Sequence, residues 1–216
     1  MKKNRGFVLP AVLAALTLLY IVLLKTVDVA AVGPQSTSVG FSHLNQSVFN
    51  AFGVNESWYK VTEVLGIGSI ALAFVFALMG FIQLMQRKNI LKVDHQLLAA
   101  GALYFAVIAL YVLFEIVVIN YRPVIMPGET APEASFPSSH TMIGSVIMGS
   151  AVILSEYYIN NENLRKTVQV VLCILIMVMT FGRLLSGVHW LTDIIGGVLI
   201  SLTLLSCFRA ALEKME

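Results

Sequence analysis

Residues 182–193 read Gly-Arg-Leu-Leu-Ser-Gly-Val-His-Trp-Leu-Thr-Asp, and residues 137–140 read Pro-Ser-Ser-His. Both stretches lie at the ends of long apolar runs, where charged side chains are rare. A charged side chain at the centre of a bilayer costs about 2.5–3.5 kcal/mol on insertion scales. A chain that keeps Arg183, His189 and Asp193 at such positions is therefore expected to build a site there.

The composition is that of a membrane protein. Hydrophobic residues make up 58% of the chain and charged residues only 12%, and the mean hydropathy is +0.85. Soluble domains carry about 25% charged residues. A net charge of +2 without a basic run argues against a nucleic-acid partner. The cysteines, Cys173 and Cys207, fall in apolar runs and are expected to remain free thiols.

Apolar runs of spanning length predict an all-α polytopic membrane protein, a single membrane domain over residues 1–216 with six transmembrane helices in one bundle. The first run carries no charge from Gly6 to Leu24 and is longer than the core of a signal peptide, which favours a retained span. The predicted spans are about 6–26, 63–86, 96–119, 139–158, 166–186 and 189–209.

Lysines and arginines predict the orientation, because cytoplasmic segments carry the excess of positive charge. With the N-terminus inside, ten of these residues fall on the inner side. The four on the outer side are Lys25, Lys60, Arg122 and Arg183. Both termini are therefore expected in the cytoplasm, and Arg122, His140, Arg183 and His189 are expected to meet at the outer face of the cell membrane.

The residue types at these positions suit phosphate chemistry. His189 and Asp193 are four residues apart, so on a helix they share one face. A carboxylate placed there holds one imidazole nitrogen and leaves the other as a nucleophile. Arg183 offers a planar fork of donors that suits phosphate oxygens. Ser138–His140 open a predicted span, whose first N–H groups form an anion site.

A zinc site is the alternative for His140, His189 and Asp193. No cysteine or closely spaced histidine pair completes a tetrahedral set, and the two arginines nearby would repel a cation. No metal and no other cofactor is therefore expected. His43 and His95 are interpreted as hydrogen-bonded surface residues.

Three blocks of the sequence resemble the type 2 phosphatidic acid phosphatase family, the membrane lipid phosphate phosphatases. The family's blocks are Lys-x6-Arg-Pro, Pro-Ser-Gly-His and Ser-Arg-x5-His-x3-Asp. Here they read Glu115-x6-Arg122-Pro123, Pro137-Ser138-Ser139-His140 and Gly182-Arg183-x5-His189-x3-Asp193. The resemblance covers the third to the sixth predicted span and implies a phosphatase core of about residues 96–209.

The resemblance implies a role for each matching residue. His189 would attack phosphorus and become phosphohistidine, with Asp193 orienting it. His140 would protonate the leaving lipid oxygen and then help to activate water. The groups that would bind phosphate oxygens are Arg122, Arg183, Ser138 and the backbone N–H of Ser139. The family needs no metal.

Three positions depart from the family's pattern. Ser139 replaces a glycine and Gly182 replaces a serine, whereas Glu115 replaces a lysine and reverses its charge. Glu115 lies about two turns before Arg122 on the same helix face. An ionised Glu115 would oppose phosphate binding; alternatively it is neutralised by burial, or it pairs with Arg122 or Arg183.

The function expected from the resemblance is hydrolysis of a membrane phospholipid or isoprenoid phosphate. Undecaprenyl diphosphate, phosphatidylglycerol phosphate and phosphatidic acid are the candidate substrates. A lipid phosphotransferase with the same residues is one alternative. A non-catalytic lipid-phosphate-binding protein is another, supported only by Glu115.

The connection over residues 121–138 holds four of the six prolines, Pro123, Pro127, Pro132 and Pro137. Proline fixes φ and disfavours a helix before it, so an extended and restrained loop is predicted. This loop is either a lid or rim over the site or an ordinary outer connection.

Overall fold

The computed structural model describes residues 5–215, so Lys2 and Lys3 of the predicted inner N-terminus lie outside the described part. Within that part the chain forms seven α-helices joined by loops and short 3-10 turns, with no strand. The helices are α1 (Val8–Thr26), α2 (Ser42–Phe52), α3 (Glu56–Arg87), α4 (His95–Ile116), α5 (Ser139–Tyr158), α6 (Glu162–Leu185) and α7 (Leu191–Met215).

Five of the described helices are long and apolar enough to cross a membrane, namely α1, α3, α4, α6 and α7. The chain is therefore an all-α, multi-pass membrane protein, as predicted. The predicted count of six spans depends on α5, which has the expected bounds but is not among the five. No 18-residue stretch of α5 is as hydropathic as those of the five, because serines, glycines, His140 and Glu156 interrupt its apolar residues.

The polar character of α5 fits its central position. It packs against α3, α4, α6 and α7, so little of its surface is left for lipid. Small residues let the neighbouring helices approach closely, as is common inside membrane bundles. A Cβ atom added at Gly149 would come within 2.5 Å of Leu205 on α7.

The helix bounds differ most from the predicted spans at the end of α7, which extends to Met215 rather than about residue 209, and at the start of α3. This helix begins at Glu56 rather than near residue 63, because the side chain of Asn55 accepts a hydrogen bond from the backbone N–H of Trp58 at 3.1 Å. Its 32 residues correspond to about 48 Å, which is longer than a membrane span. The short helix α2 lies between α1 and α3 in the chain and packs against α7.

The two ends of the bundle have different chemistry. Arg87 and Asp94 form an ion pair of 2.7 Å where α3 passes into α4, and Tyr158 at the end of α5 donates to the same aspartate at 3.2 Å. At the other end of the bundle, His140 at the start of α5 and Arg183 near the end of α6 both lie next to the start of α3. The site residues are thus gathered at one end, away from Arg87.

The turn between α6 and α7 requires a glycine. Gly187 has a φ of +69°, and a Cβ atom there would lie 1.9 Å from the carbonyl oxygen of Gly53. Only glycine adopts such a backbone conformation without strain, and a clash with a backbone atom is not relieved by a side-chain rotation. The close contact fixes the turn that carries His189 against the segment before α3.

We expect Gly187→Ala to destabilise the protein by about 2 kcal/mol or more, since it adds strain at positive φ to a backbone clash. Thermal unfolding of the purified protein in detergent measures this change. Gly101→Ala is the matched control, because no atom lies within 4 Å of the added methyl group. An unchanged melting temperature in Gly187→Ala would contradict the described turn.

Candidate active site

His189 and Asp193 lie side by side but do not hydrogen bond to each other directly. Nδ1 of His189 is 3.9 Å from Oδ2 of Asp193. The hydroxyl group of Ser135 lies between them, since its Oγ is 3.0 Å from Nδ1 and donates to Oδ2 at 2.5 Å. Nδ1 of His189 is also 3.1 Å from the carbonyl oxygen of Ser135. The direct contact expected from the spacing is therefore replaced by a contact through Ser135.

This arrangement fixes the tautomer of His189. The hydroxyl hydrogen of Ser135 is donated to Asp193, so both oxygens of Ser135 act as acceptors for a proton on Nδ1 of His189. Nε2 of the same ring is buried and has no hydrogen-bond partner in the described part of the chain. A neutral ring in this tautomer has its lone pair on Nε2, which is the form of a nucleophile.

Asp193 is completely buried and is held by three donors. Oδ1 accepts from the side-chain amide of Asn120 at 3.0 Å, and Oδ2 accepts from the backbone N–H of Trp190 at 3.0 Å as well as from Ser135. A buried carboxylate is tolerated when hydrogen bonds replace water in this way. The aspartate thus joins both ends of the loop between α4 and α5 to the start of α7.

Arg183 is 1% exposed and lies against α3. Its Nη1 donates to Oγ1 of Thr62 at 3.0 Å and to Oε1 of Glu63 at 3.1 Å. Its guanidinium group lies over the ring of Tyr59, 5.1 Å from the ring centre. Nε of Arg183 is also buried but has no acceptor among the described residues.

Arg122 lies in the loop after α4 with its side chain 15% exposed. Nε is 3.0 Å from Oε2 of Glu133 without hydrogen-bond geometry, so Nε and Nη1 are buried donors without a hydrogen-bonded acceptor. Seven buried side-chain nitrogen or oxygen atoms of the described residues lack a partner, and four belong to Arg122, Arg183 and His189. Leaving a buried donor unpaired costs about 1–3 kcal/mol, so this concentration indicates a site for a ligand with several acceptor oxygens.

The basic groups of the site lie close to one another. Arg122, Arg183 and His140 all lie close enough to His189 to interact with it electrostatically. Two buried guanidinium groups beside two histidines disfavour a further cation and favour an anion. In the described part of the chain, no three His, Cys, Asp or Glu side chains are arranged to hold a metal ion.

His140 lies in the first turn of α5, where its Nε2 is 3.1 Å from Oε1 of Glu63. It lines a cavity of about 300 Å³ between α3, α4 and α5. Polar groups of the wall come from Glu63, Ser69, Tyr111 and Ser139, and three isoleucines from α3 and α5 supply apolar surface. The cavity therefore has a polar end beside His140 and an apolar remainder.

Ser138 connects the start of α5 to the start of α7. It is fully buried, its backbone N–H donates to the carbonyl oxygen of Asp193 at 3.1 Å, and its hydroxyl accepts from Thr141 at 3.1 Å. As the N-cap residue of α5, Ser138 makes no capping hydrogen bond with its side chain. The first N–H groups of this helix, including that of Ser139, thus keep the anion-binding character expected from the sequence.

Backbone hydrogen bonds join the two ends of the loop over residues 121–138 beside the site. The N–H of Arg122 donates to Glu133 at 3.0 Å, and the N–H of Ser135 donates to Asn120 at 2.9 Å. These bonds pair the two ends of the loop, so Asn120 and Ser135 reach Asp193 from both sides. This part of the loop is a fixed wall of the site, as the prolines predicted for a restrained connection.

Glu115 does not pair with either arginine. It is exposed and interacts with Tyr111 on its own helix, whereas Arg122 lies against Glu133 and Arg183 pairs with Glu63. The expectations of a buried or arginine-paired Glu115 are therefore wrong, because α4 turns this side chain outward. Glu115 therefore neutralises neither of the arginines proposed to bind phosphate.

The two other histidines have different surroundings. His43 is an exposed residue, as interpreted, and its Nδ1 lies 2.7 Å from Oδ1 of Asp28. His95, at the start of α4, is half-buried, and its Nε2 is buried without a hydrogen-bond partner among the described residues, so the interpretation as hydrogen-bonded is wrong for this nitrogen.

Sequence reasoning missed Glu63, Ser135 and Asn120. A weak signal for Glu63 was present, since Tyr59, Thr62 and Glu63 place polar groups on one face at the start of a long apolar run. Nothing in the spacing of the motifs points to Ser135 or Asn120, because their partner Asp193 is distant in sequence.

Residues 96–214, more than half of the chain, match the family model of the PAP2 superfamily. The chain belongs to the PAP2 superfamily. This membership confirms the resemblance seen in the three sequence blocks, and the matched region starts within α4 and ends within α7. It excludes α3, which supplies Thr62 and Glu63 to the site.

One solved structure shows the same fold. It is described as the crystal structure of the first transmembrane PAP2 type phosphatidylglycerolphosphate phosphatase from Bacillus subtilis. The two chains are 18% identical, with a TM-score of 0.68 and coverage of 96% of this chain and 98% of that chain. No curated protein matches this chain. Superfamily and fold together support a membrane phosphatase.

We expect inorganic phosphate or orthovanadate to stabilise the protein, because their oxygens satisfy the unpaired donors of Arg122 and Arg183. Ligand at one hundred times its Kd adds about 2.7 kcal/mol to the stability of the folded state. The shift in melting temperature in detergent measures this effect. Arg122→Gln should lose most of the shift, while Arg209→Gln, at the opposite end of the bundle, should keep it. Equal shifts in both variants would place anion binding elsewhere.

Proposed function

We propose that this PAP2 protein is a lipid phosphate phosphatase of the cell membrane that works through a phosphohistidine at His189. The observation that carries the proposal is the free, buried Nε2 of His189 among unpaired arginine donors. A phosphoryl group has the oxygens that these donors lack, and its phosphorus would then face the nitrogen lone pair.

In the first step, the guanidinium groups of Arg122 and Arg183 and the first N–H groups of α5 bind the phosphate oxygens. Nε2 of His189 forms a bond to phosphorus as the bond between phosphorus and the lipid oxygen breaks. His140 gives its proton to that leaving oxygen. The ring of His189 becomes positively charged, and Asp193 stabilises this charge through the hydroxyl of Ser135.

In the second step, water replaces the lipid. His140, now neutral, takes a proton from the water as its oxygen attacks phosphorus. The bond between phosphorus and Nε2 breaks and its electron pair returns to the ring. Inorganic phosphate leaves, and both histidines are back in their starting states. We propose that neither step requires a metal ion.

A lipid substrate is supported by the surroundings of His140. The cavity beside it is polar at one end and lined by isoleucines and glycines beyond, which suits a headgroup followed by an acyl or prenyl chain. Phosphatidylglycerol phosphate, undecaprenyl diphosphate and phosphatidic acid all have this form. The known activity of the similar Bacillus subtilis structure makes phosphatidylglycerol phosphate the first to test.

We further propose that α5 crosses the membrane as the sixth span and that the site faces outward. The basic residues Arg87, Lys88 and Lys92 lie at the other end of α3, and cytoplasmic segments carry such an excess of positive charge. Both termini are then cytoplasmic. An outward site would act on lipids of the outer leaflet.

We expect His189→Ala to reduce phosphate release by at least about a thousandfold, because the nucleophile is removed. Phosphate is measured with the three lipids in detergent, with and without EDTA. His43→Ala is the control, since this exposed histidine contacts Asp28 and is not part of the proposed site. Activity that persists in His189→Ala would refute the phosphohistidine, and activity abolished by EDTA would refute metal independence.

Added alcohol tests for transfer, since a phosphotransferase would yield a new phosphate ester.

We expect Ser135→Ala to lower kcat by about 10- to 100-fold, because Asp193 then lacks the hydroxyl through which it acts on His189. Steady-state kinetics on the preferred lipid measure this change. Ser206→Ala is the matched control, since its hydroxyl bonds only within α7, to Thr203. A kcat equal to that of the control would show that Asp193 does not act through Ser135.

A further inference from the structure

One carboxylate oxygen on α3 contacts two of the proposed catalytic groups. Oε1 of Glu63 lies 3.1 Å from Nε2 of His140 and 3.1 Å from Nη1 of Arg183. The contact to His140 is shorter than the 3.9 Å between His189 and Asp193. Glu63 therefore makes the direct carboxylate–imidazole contact that the sequence assigned to the other pair.

The start of α3 is shaped to receive both partners. Thr62, Glu63 and Gly66 share one helix face, because residues three and four apart are neighbours on a helix. A Cβ atom at Gly66 would lie 2.8 Å from Cδ2 of His140 and 3.0 Å from its Nε2. The imidazole ring thus rests against the backbone of α3 while Glu63 holds its Nε2. Thr62 and Glu63 together hold Nη1 of Arg183.

Neutralising Arg183 does not by itself explain this geometry. Glu63 is 38% exposed and lines the cavity beside His140, so it is not enclosed around the arginine. It also does not block the anion site, since it occupies Nη1 of Arg183 and leaves Nε unpaired. Its position fits a group that orients its two neighbours towards a third molecule.

We propose that Glu63 is a positioning residue for phosphoryl transfer, acting mainly through His140; this inference rests on the proposed function. The carboxylate accepts the proton on Nε2 of His140 and so fixes the tautomer and the ring. Nδ1 then exchanges the proton with the substrate. It gives the proton to the leaving lipid oxygen in the first step and takes one from water in the second. Glu63 itself neither gains nor loses a proton.

The primary test compares Glu63→Gln with the native protein and with Glu56→Gln. Glutamine keeps the size of the side chain and an acceptor oxygen but removes the charge. Glu56 lies on the same helix, is exposed and pairs with Lys60, so its variant matches the substitution without touching the site. We expect kcat on the preferred lipid to fall about 10- to 100-fold in Glu63→Gln, with KM within about threefold of native. Glu56→Gln should stay near the native values.

The choice of leaving group separates positioning from a general loss of structure. An aryl phosphate releases a stable phenolate that needs little protonation, whereas a lipid phosphate releases an alkoxide that needs a proton. The value of kcat/KM reports the steps up to loss of the leaving group. We expect Glu63→Gln to lower kcat/KM at least about tenfold less for the aryl phosphate than for the lipid phosphate. Equal losses on both substrates would overturn the proposal.

A double variant tests whether the effect passes through His140. If Glu63 acts through this histidine, Glu63→Gln adds little to the loss already caused by His140→Ala, and the two changes are not additive. Fully multiplicative losses would overturn the proposal, as would activity in Glu63→Gln equal to that of Glu56→Gln. Failure of the proposed function looks different, because the native protein would then release no phosphate from any lipid.

Discussion

The structure of the site depends on the burial of the guanidinium group of Arg183 in a bundle of apolar helices. A buried charge of this kind is stable only when it is paired and hydrogen-bonded. Thr62, Glu63 and Tyr59 meet that requirement, and all three come from the start of α3. The helix is thereby held beside α5 and α6, where it also supports His140. The part of the chain that precedes the family's motifs is thus essential to their geometry.

Polar groups are distributed in two layers around the proposed phosphate position. Groups with unpaired donors or a free lone pair face it, and groups with complete hydrogen bonding stand behind them. Asp193 belongs to the second layer, with every bond accounted for by the loops and the start of α7. An arrangement of this kind leaves little to reorganise when charge develops on the substrate, which is the condition for electrostatic catalysis.

The sequence predicted what depends on local spacing and missed what depends on tertiary contacts. The four-residue interval between His189 and Asp193 and the long apolar runs have a fixed geometric meaning, so the helical class and the end of the bundle that holds the site were predictable. The hydroxyl of Ser135 is inserted between that pair by a loop from another part of the chain. Glu63 contacts Arg183, which lies 120 positions later in the sequence. The direction in which Glu115 points depends on the packing of α4, which its place in a motif does not determine.

The contacts of α3 also limit how far the motif-bearing region is an independent module. Residues 96–214 contain all three family blocks, yet they lack the groups of α3 that cover Arg183 and hold His140. A fragment with these bounds would present a bare guanidinium group to the hydrocarbon of the bilayer. The first half of the chain is therefore more than a membrane anchor, because it supplies side chains that complete the site.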